Sequence, residues 1–201
     1  MPDCLLLGCG ILKREVRHLI DRNCWKIETD FLPPALHVDL DQLGCALREG
    51  LGRHPGRNIV VFYGNCHPEI DDMLGEARAF RTRGQNCIEM LLGRERFMTE
   101  LSQGAFFLLE ELAKGWDEAI GKTFGNRMDV AMEVFRESCS YFLCIRTPCS
   151  ADYSDKAEEI SEKTGLPLRW VDVGLDHLEA VLKETFERSQ AVISPATPAS
   201  P

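Results

Sequence analysis

Four of the nine cysteines in this 201-residue chain stand in short turns just behind apolar runs. Gly8-Cys9-Gly10 follows CLLL, and Gly64-Asn65-Cys66-His67 follows IVVFY. Gly84-Gln85-Asn86-Cys87 follows ARAFRT, and Thr147-Pro148-Cys149-Ser150 follows YFLCIR. A thiolate needs an electropositive pocket, and a glycine-rich turn that opens a helix supplies free N–H groups and the positive end of the helix dipole. Glycines at 8, 10, 64 and 84 also let the backbone come close to a ligand. Three thiolates converging from such loops suit a soft metal site, either zinc or an iron–sulfur cluster. A structural zinc usually wants four protein ligands, often drawn from CxxC pairs, and the chain has no such pair. Isolated cysteines on separate loops fit a four-iron cluster better, with three irons held by thiolates and the fourth open to a small-molecule substrate. Asn65, Asn86 and backbone N–H groups would orient that ligand.

The remaining candidates carry weaker signals. Cys4 and Cys144 each lie five residues before an edge cysteine, which at about 3.3 Å per residue puts them at the far ends of their strands. Cys24, Cys45 and Cys139 read as small apolar packing residues, the common fate of an intracellular cysteine. Lys13 and Arg14 open a helix near the edge and are candidates for holding an anionic substrate, though a solvated helix start is the plainer explanation of both. His67 is a candidate ligand or acid–base group, but it adjoins Cys66, and adjacent residues in an extended chain point apart. His18, His37, His54 and His177 are scattered without ligand spacing. GWDEAIGKT has five residues between its glycines where a phosphate-binding loop needs four, so it reads as a helix. GCGILKRE lacks the third glycine of a dinucleotide fingerprint.

The elements that must position these residues alternate. CLLLGC, WKIETDFLP, NIVVFYG, ARAFRT, GAFFLL, YFLCIRT and PLRWVDVG read as strands. Amphipathic helices lie between them, one from about Lys13 to Asn23 and another opened by Asp39 as N-cap. That alternation predicts an α/β fold: an open, mostly parallel, Rossmann-like sheet with helices on both faces, in which every strand presents its C-terminal end at one edge. We expect a single domain over residues 1–188. The small, proline-rich end predicts a disordered tail over 189–201.

Composition closes other routes. A 44% hydrophobic and 27% charged chain is ordinary for a soluble globular protein. Its net charge of −9 offers no basic stripe, which argues against nucleic acid and anionic membrane surfaces as partners. No apolar run reaches the ~18 residues of a transmembrane helix. The N-terminus lacks a basic start and a long apolar core, so it does not read as a signal peptide, and the expected location is cytoplasmic.

The succession CGILKREV, LHVDLDQL, YGNC, NCIEMLLGRERF and GW resembles the domain-of-unknown-function family 1638, DUF1638, of anaerobic bacteria and archaea. The resemblance runs from Cys9 to about Leu182. It implies that the family's recurrent cysteines fall on Cys9, Cys66 and Cys87, with Cys149 having no counterpart. His67 stands where the family commonly has glycine, and Gln85-Asn86 where it has His-Asp, which marks a divergent member. The family's setting near corrinoid-dependent methyltransferases implies a role around one-carbon or corrinoid metabolism, with a corrinoid or methyltransferase protein as partner. Two further readings stay open: a non-catalytic accessory that binds zinc or a corrinoid protein, and a thiol redox protein.

Overall fold

A computed structural model describes residues 4–34, 36–125 and 127–193. Strands β1 (Cys4–Cys9), β2 (Ile27–Leu32), β3 (Asn58–Phe62) and β4 (Phe80–Arg81) form one sheet in the order β2-β1-β3-β4. Strands β5 (Ala105–Leu108), β6 (Tyr141–Arg146) and β7 (Leu168–Asp172) form a second, in the order β5-β6-β7. Every pairing is parallel, as the alternation of strands and helices predicts. The strands divide between two sheets, and hydrophobic periodicity holds no signal for that division because it reports which face is buried, not which strand is the neighbour.

Ten α-helices connect these strands among the described residues. They are α1 (Lys13–Arg22), α2 (Leu40–Gly52), α3 (Ile70–Ala77), α4 (Cys87–Leu92), α5 (Arg94–Ser102), α6 (Glu110–Lys114), α7 (Trp116–Phe124), α8 (Met128–Ser138), α9 (Ser154–Thr164) and α10 (Asp176–Ile193). Asp39 caps α2 as expected, its carboxylate accepting the Gln42 N–H at 3.0 Å. GWDEAIGKT does fold as helix α7, and Trp116 packs edge-on against Phe106 and Phe142.

β1 is buried at every position, which marks it as a strand covered on both faces. Leu5, Leu7, Ile59 and Val61 point to one side, where α2 and α3 supply Leu43, Leu47 and Met73. Cys4, Leu6, Val60 and Phe62 point to the other, against Val16 and Leu19 of α1, Met90 of α4 and Leu182 of α10. Leu143 and Ile145 of β6 belong to that same apolar cluster, so α1, α4 and α10 form a layer shared by both sheets. Helices α6 to α9 cover the far face of the second sheet around Phe142 and Cys144. The stack therefore runs helices, sheet, helices, sheet, helices.

The C-terminal boundary differs from the expectation. α10 continues to Ile193, and Ser189 is fully buried, accepting a hydrogen bond from Asn58 at 3.2 Å. A buried anchor on β3 holds the helix past the point where composition turns small and polar. Residues 194–201 of the expected tail lie outside the described residues.

Candidate functional site

In the first sheet the chain leaves β1 for β2 on one side and then crosses back to β3 on the other. This reversal opens a crevice beyond the C-terminal ends of β1 and β3, where open α/β sheets bind their ligands. Cys9 is the last residue of β1, and Gly10 turns the chain so tightly that a Cβ there would lie 2.8 Å from the Leu32 carbonyl oxygen. Beyond β3, the Gly64 turn presses against the turn that follows β4. A Cβ on Gly64 would sit 2.1 Å from the Gln85 oxygen, and the Asn65 N–H donates to that oxygen at 2.7 Å. The φ of Gly64 is not positive, so glycine serves here for close approach alone.

Side chains fasten both turns. Arg81 donates to Asn65 Oδ1 at 2.9 Å and to the Asp71 carboxylate at 2.9 and 3.0 Å. Asn86 caps α4 by accepting the Glu89 N–H at 2.9 Å, while the Glu89 carboxylate reaches back to the Gln85 N–H at 3.2 Å. This is a capping box shifted by one residue. It delivers Cys87 as the first helical residue.

Cys9, Cys66 and Cys87 consequently line one cavity of about 490 Å³, together with Gly64, Asn65 and Asn86. Its opposite wall comes from the second sheet: Ala105, Phe106 and Phe107 of β5, then Leu109 and Leu112. No Asp, Glu, Lys or Arg lines it. Burial pushes the Cys66 thiol up, against the pull of the Gly64 backbone and the Arg81 charge. Burial pushes Cys87 up further, and the Cys9 and Cys66 sulfurs add to it. With no cation present these thiols are protonated; a bound cation inverts that balance and holds them as thiolates.

Two polar residues that spacing did not single out also line the cavity. His37 stands at its mouth, exposed but partly desolvated, and the desolvation lowers its pKa. Tyr63 is 4% exposed. Burial, then the Cys9, Cys66 and Cys87 sulfurs, push its hydroxyl pKa upward. Tyr63 closes an apolar run that reads as strand, which hides it from a search for polar signals. His37 lies in the LHVDLDQL stretch, a mark of the family resemblance and the one hint available.

The other candidates lie elsewhere. His67 is buried against α2, its Nδ1 accepting the Glu69 N–H at 3.1 Å, and a Cβ on Gly44 would touch its Nε2 at 3.0 Å. Gly8 sits inside β1 against Phe62. Cys149 packs beyond β6 on the helical layer, near Glu15 and Arg14, outside the cavity lining. Lys13 pairs with Glu111 at 3.6 Å, and Arg14 donates to both Glu110 oxygens at 2.9 Å. Glu110 also accepts from Lys114 and from the Ala151 N–H at 2.8 Å, and buried Thr147 donates to Glu15 at 2.7 Å. These contacts tie α1 to the second sheet, so Lys13 and Arg14 hold the cavity's two walls together and do not line it.

One zinc ion gathers its ligands at about 2.0–2.3 Å. Among the described residues no three His, Cys, Asp or Glu side chains are grouped to hold one ion. Three thiols that line one cavity are soft donors, of the kind that zinc and iron–sulfur clusters both take.

Fold and cavity together define a parallel α/β protein with a thiol-lined cavity at the strand ends. The family description "Protein of unknown function (DUF1638)" matches residues 31–182, and the chain belongs to that family. Cys66 and Cys87 fall inside the matched stretch; Cys9 precedes it. No curated protein sequence matches the chain. Among solved structures the chain is similar to the transcription regulator CcpA of Lactococcus lactis, at 10% identity over 100% of this chain and 94% of that one. The TM-score is 0.43, too low to carry an argument about fold or function. No helix among the described residues is long and apolar enough to cross a membrane.

Proposed function

We propose that this protein holds a [4Fe-4S] cluster through Cys9, Cys66 and Cys87 and presents its open iron to a small-molecule substrate in the cavity. The observation that carries the reading is that the three cysteines, distant in sequence, line one cavity without a fixed charge. When bound, such a group supplies Lewis-acid chemistry at the open iron. The chain's own residues shape the rest. The Gly64 and Gln85 turns hold Cys66 beside Cys87, Asn65 and Asn86 present polar groups, and the β5 wall excludes water.

A thiol redox role is less well supported. Redox cysteines are kept as accessible thiolates by a lowered pKa, whereas burial raises Cys66 and Cys87. The corrinoid and one-carbon setting rests on the family resemblance alone.

Metal analysis of anaerobically purified protein tests the proposal. Wild type should be brown, with iron and acid-labile sulfide in equal amounts, and Cys66→Ala should lose most of both while keeping the fold. A colourless wild type carrying one zinc per chain refutes it.

A further inference from the structure

The Tyr63 hydroxyl is buried with no oxygen or nitrogen partner among the described residues, and the group beside it is the Cys9 thiol. Such an orphan is costly and rare, and a ligand site is one of the few reasons to keep it. Cys9 is its polar neighbour, but sulfur is a weak acceptor. Tyr63 lines the thiol cavity, whose apolar walls include Phe62, Phe106, Phe107 and Leu109. Asn65 uses its side-chain oxygen on Arg81 and Asn86 uses its own on the Glu89 N–H, which leaves an NH2 donor on each. A cavity with hydrogen-bond donors, aromatic walls and no charged side chain selects against ions.

We propose that the cavity takes an uncharged, flat small molecule carrying a carbonyl or thiocarbonyl acceptor, and that the Tyr63 hydroxyl donates to that acceptor and orients it. This deepens the reading above and rests on its placing of the ligand site in this cavity. Tyr63 is a positioning and specificity residue, and no step of bond making is assigned to it.

The test compares full-length wild type with Tyr63→Phe, purified anaerobically, using four probes in calorimetric titrations. 2-Piperidone and piperidine-2-thione carry the acceptor; methylcyclohexane lacks it; cyclohexanecarboxylate adds a charge. Wild type should bind the two acceptor probes best, and Tyr63→Phe should weaken both about tenfold while leaving methylcyclohexane unchanged. The ligand-free variant should be about as stable as wild type, because the group removed has only the weak Cys9 sulfur beside it. Equal loss for all probes, preference for the carboxylate, or a destabilised ligand-free variant overturns the proposal. Iron per chain is read on the same samples. Acceptor binding through Tyr63 in a chain without iron ends the cluster reading and keeps this one; iron in both chains with no acceptor binding does the reverse.

Discussion

Gly64→Ala is the sharpest probe of how the cavity is built. The added Cβ would fall 2.1 Å from the Gln85 oxygen, 2.4 Å from its carbonyl carbon and 2.6 Å from the Asn86 Cα. All three are backbone atoms, so no rotamer change relieves the clash and the two turns must part. Parting them breaks the 2.7 Å hydrogen bond from Asn65 N–H to Gln85, worth about 1 kcal/mol. The forced displacement adds roughly 1–3 kcal/mol. In a chain of this size the sum lowers the melting temperature by roughly 10 °C. Because the turns carry Cys66 and Cys87, the variant should also lose the iron of the proposed cluster. The control is Gly121→Ala in α7, where a Cβ meets nothing within 4 Å; it should hold or raise stability by about 0.5–1 kcal/mol. Thermal melts followed by circular dichroism, with iron measured on the folded samples, read both effects. A Gly64→Ala protein that melts with wild type and keeps its iron refutes the account of the stapled turns.

Three further outcomes follow from the same contacts. Burial pushes Glu110 up, but its bonds to Lys114 and Ala151 and the Arg14 charge outweigh it and hold the carboxyl below its ordinary value of 4.5. Its stabilising share is thus present above that pH and fades as pH falls through the lower folded value; Glu110→Gln should cost roughly 1–3 kcal/mol at pH 7 and flatten the acid limb of a stability–pH curve. Burial raises the Cys4 thiol to about 11 and Cys144 to about 12, from 9.0. The metal-free protein should therefore lose stability to urea as pH climbs above 9.0, and Cys144→Ala should shallow that slope. Cys149→Ala should leave iron per chain unchanged, since Cys149 stands outside the cavity; loss of iron would make it a fourth ligand.

How much of this was legible beforehand can be read from single residues. All seven strands lie within the segments that read as strands, and β1 reads most clearly because a strand covered on both faces must be apolar throughout. Cys9, Cys66 and Cys87 could be grouped because parallel strands in one sheet present their C-terminal ends at a shared edge. The same argument placed Cys149 with them and could not separate it, since β6 belongs to another sheet. Lys13 and Arg14 read as edge cations because their partners Glu110 and Glu111 lie nearly a hundred residues away. The short helix α6, which carries those carboxylates, has too few residues for periodicity to reveal it.

The sequence by itself determined the local facts: which segments form strands and helices, where glycine permits a tight turn, and which thiols end up behind a strand. These depend on interactions within a few residues. The tertiary structure alone decided that the strands split into two sheets, that β5 of the second walls the cavity of the first, and that His37 and Tyr63 face the thiols while His67 turns to α2. Those outcomes depend on which distant surfaces pack together, and burial in a shared layer is a property of the whole chain that no local pattern encodes.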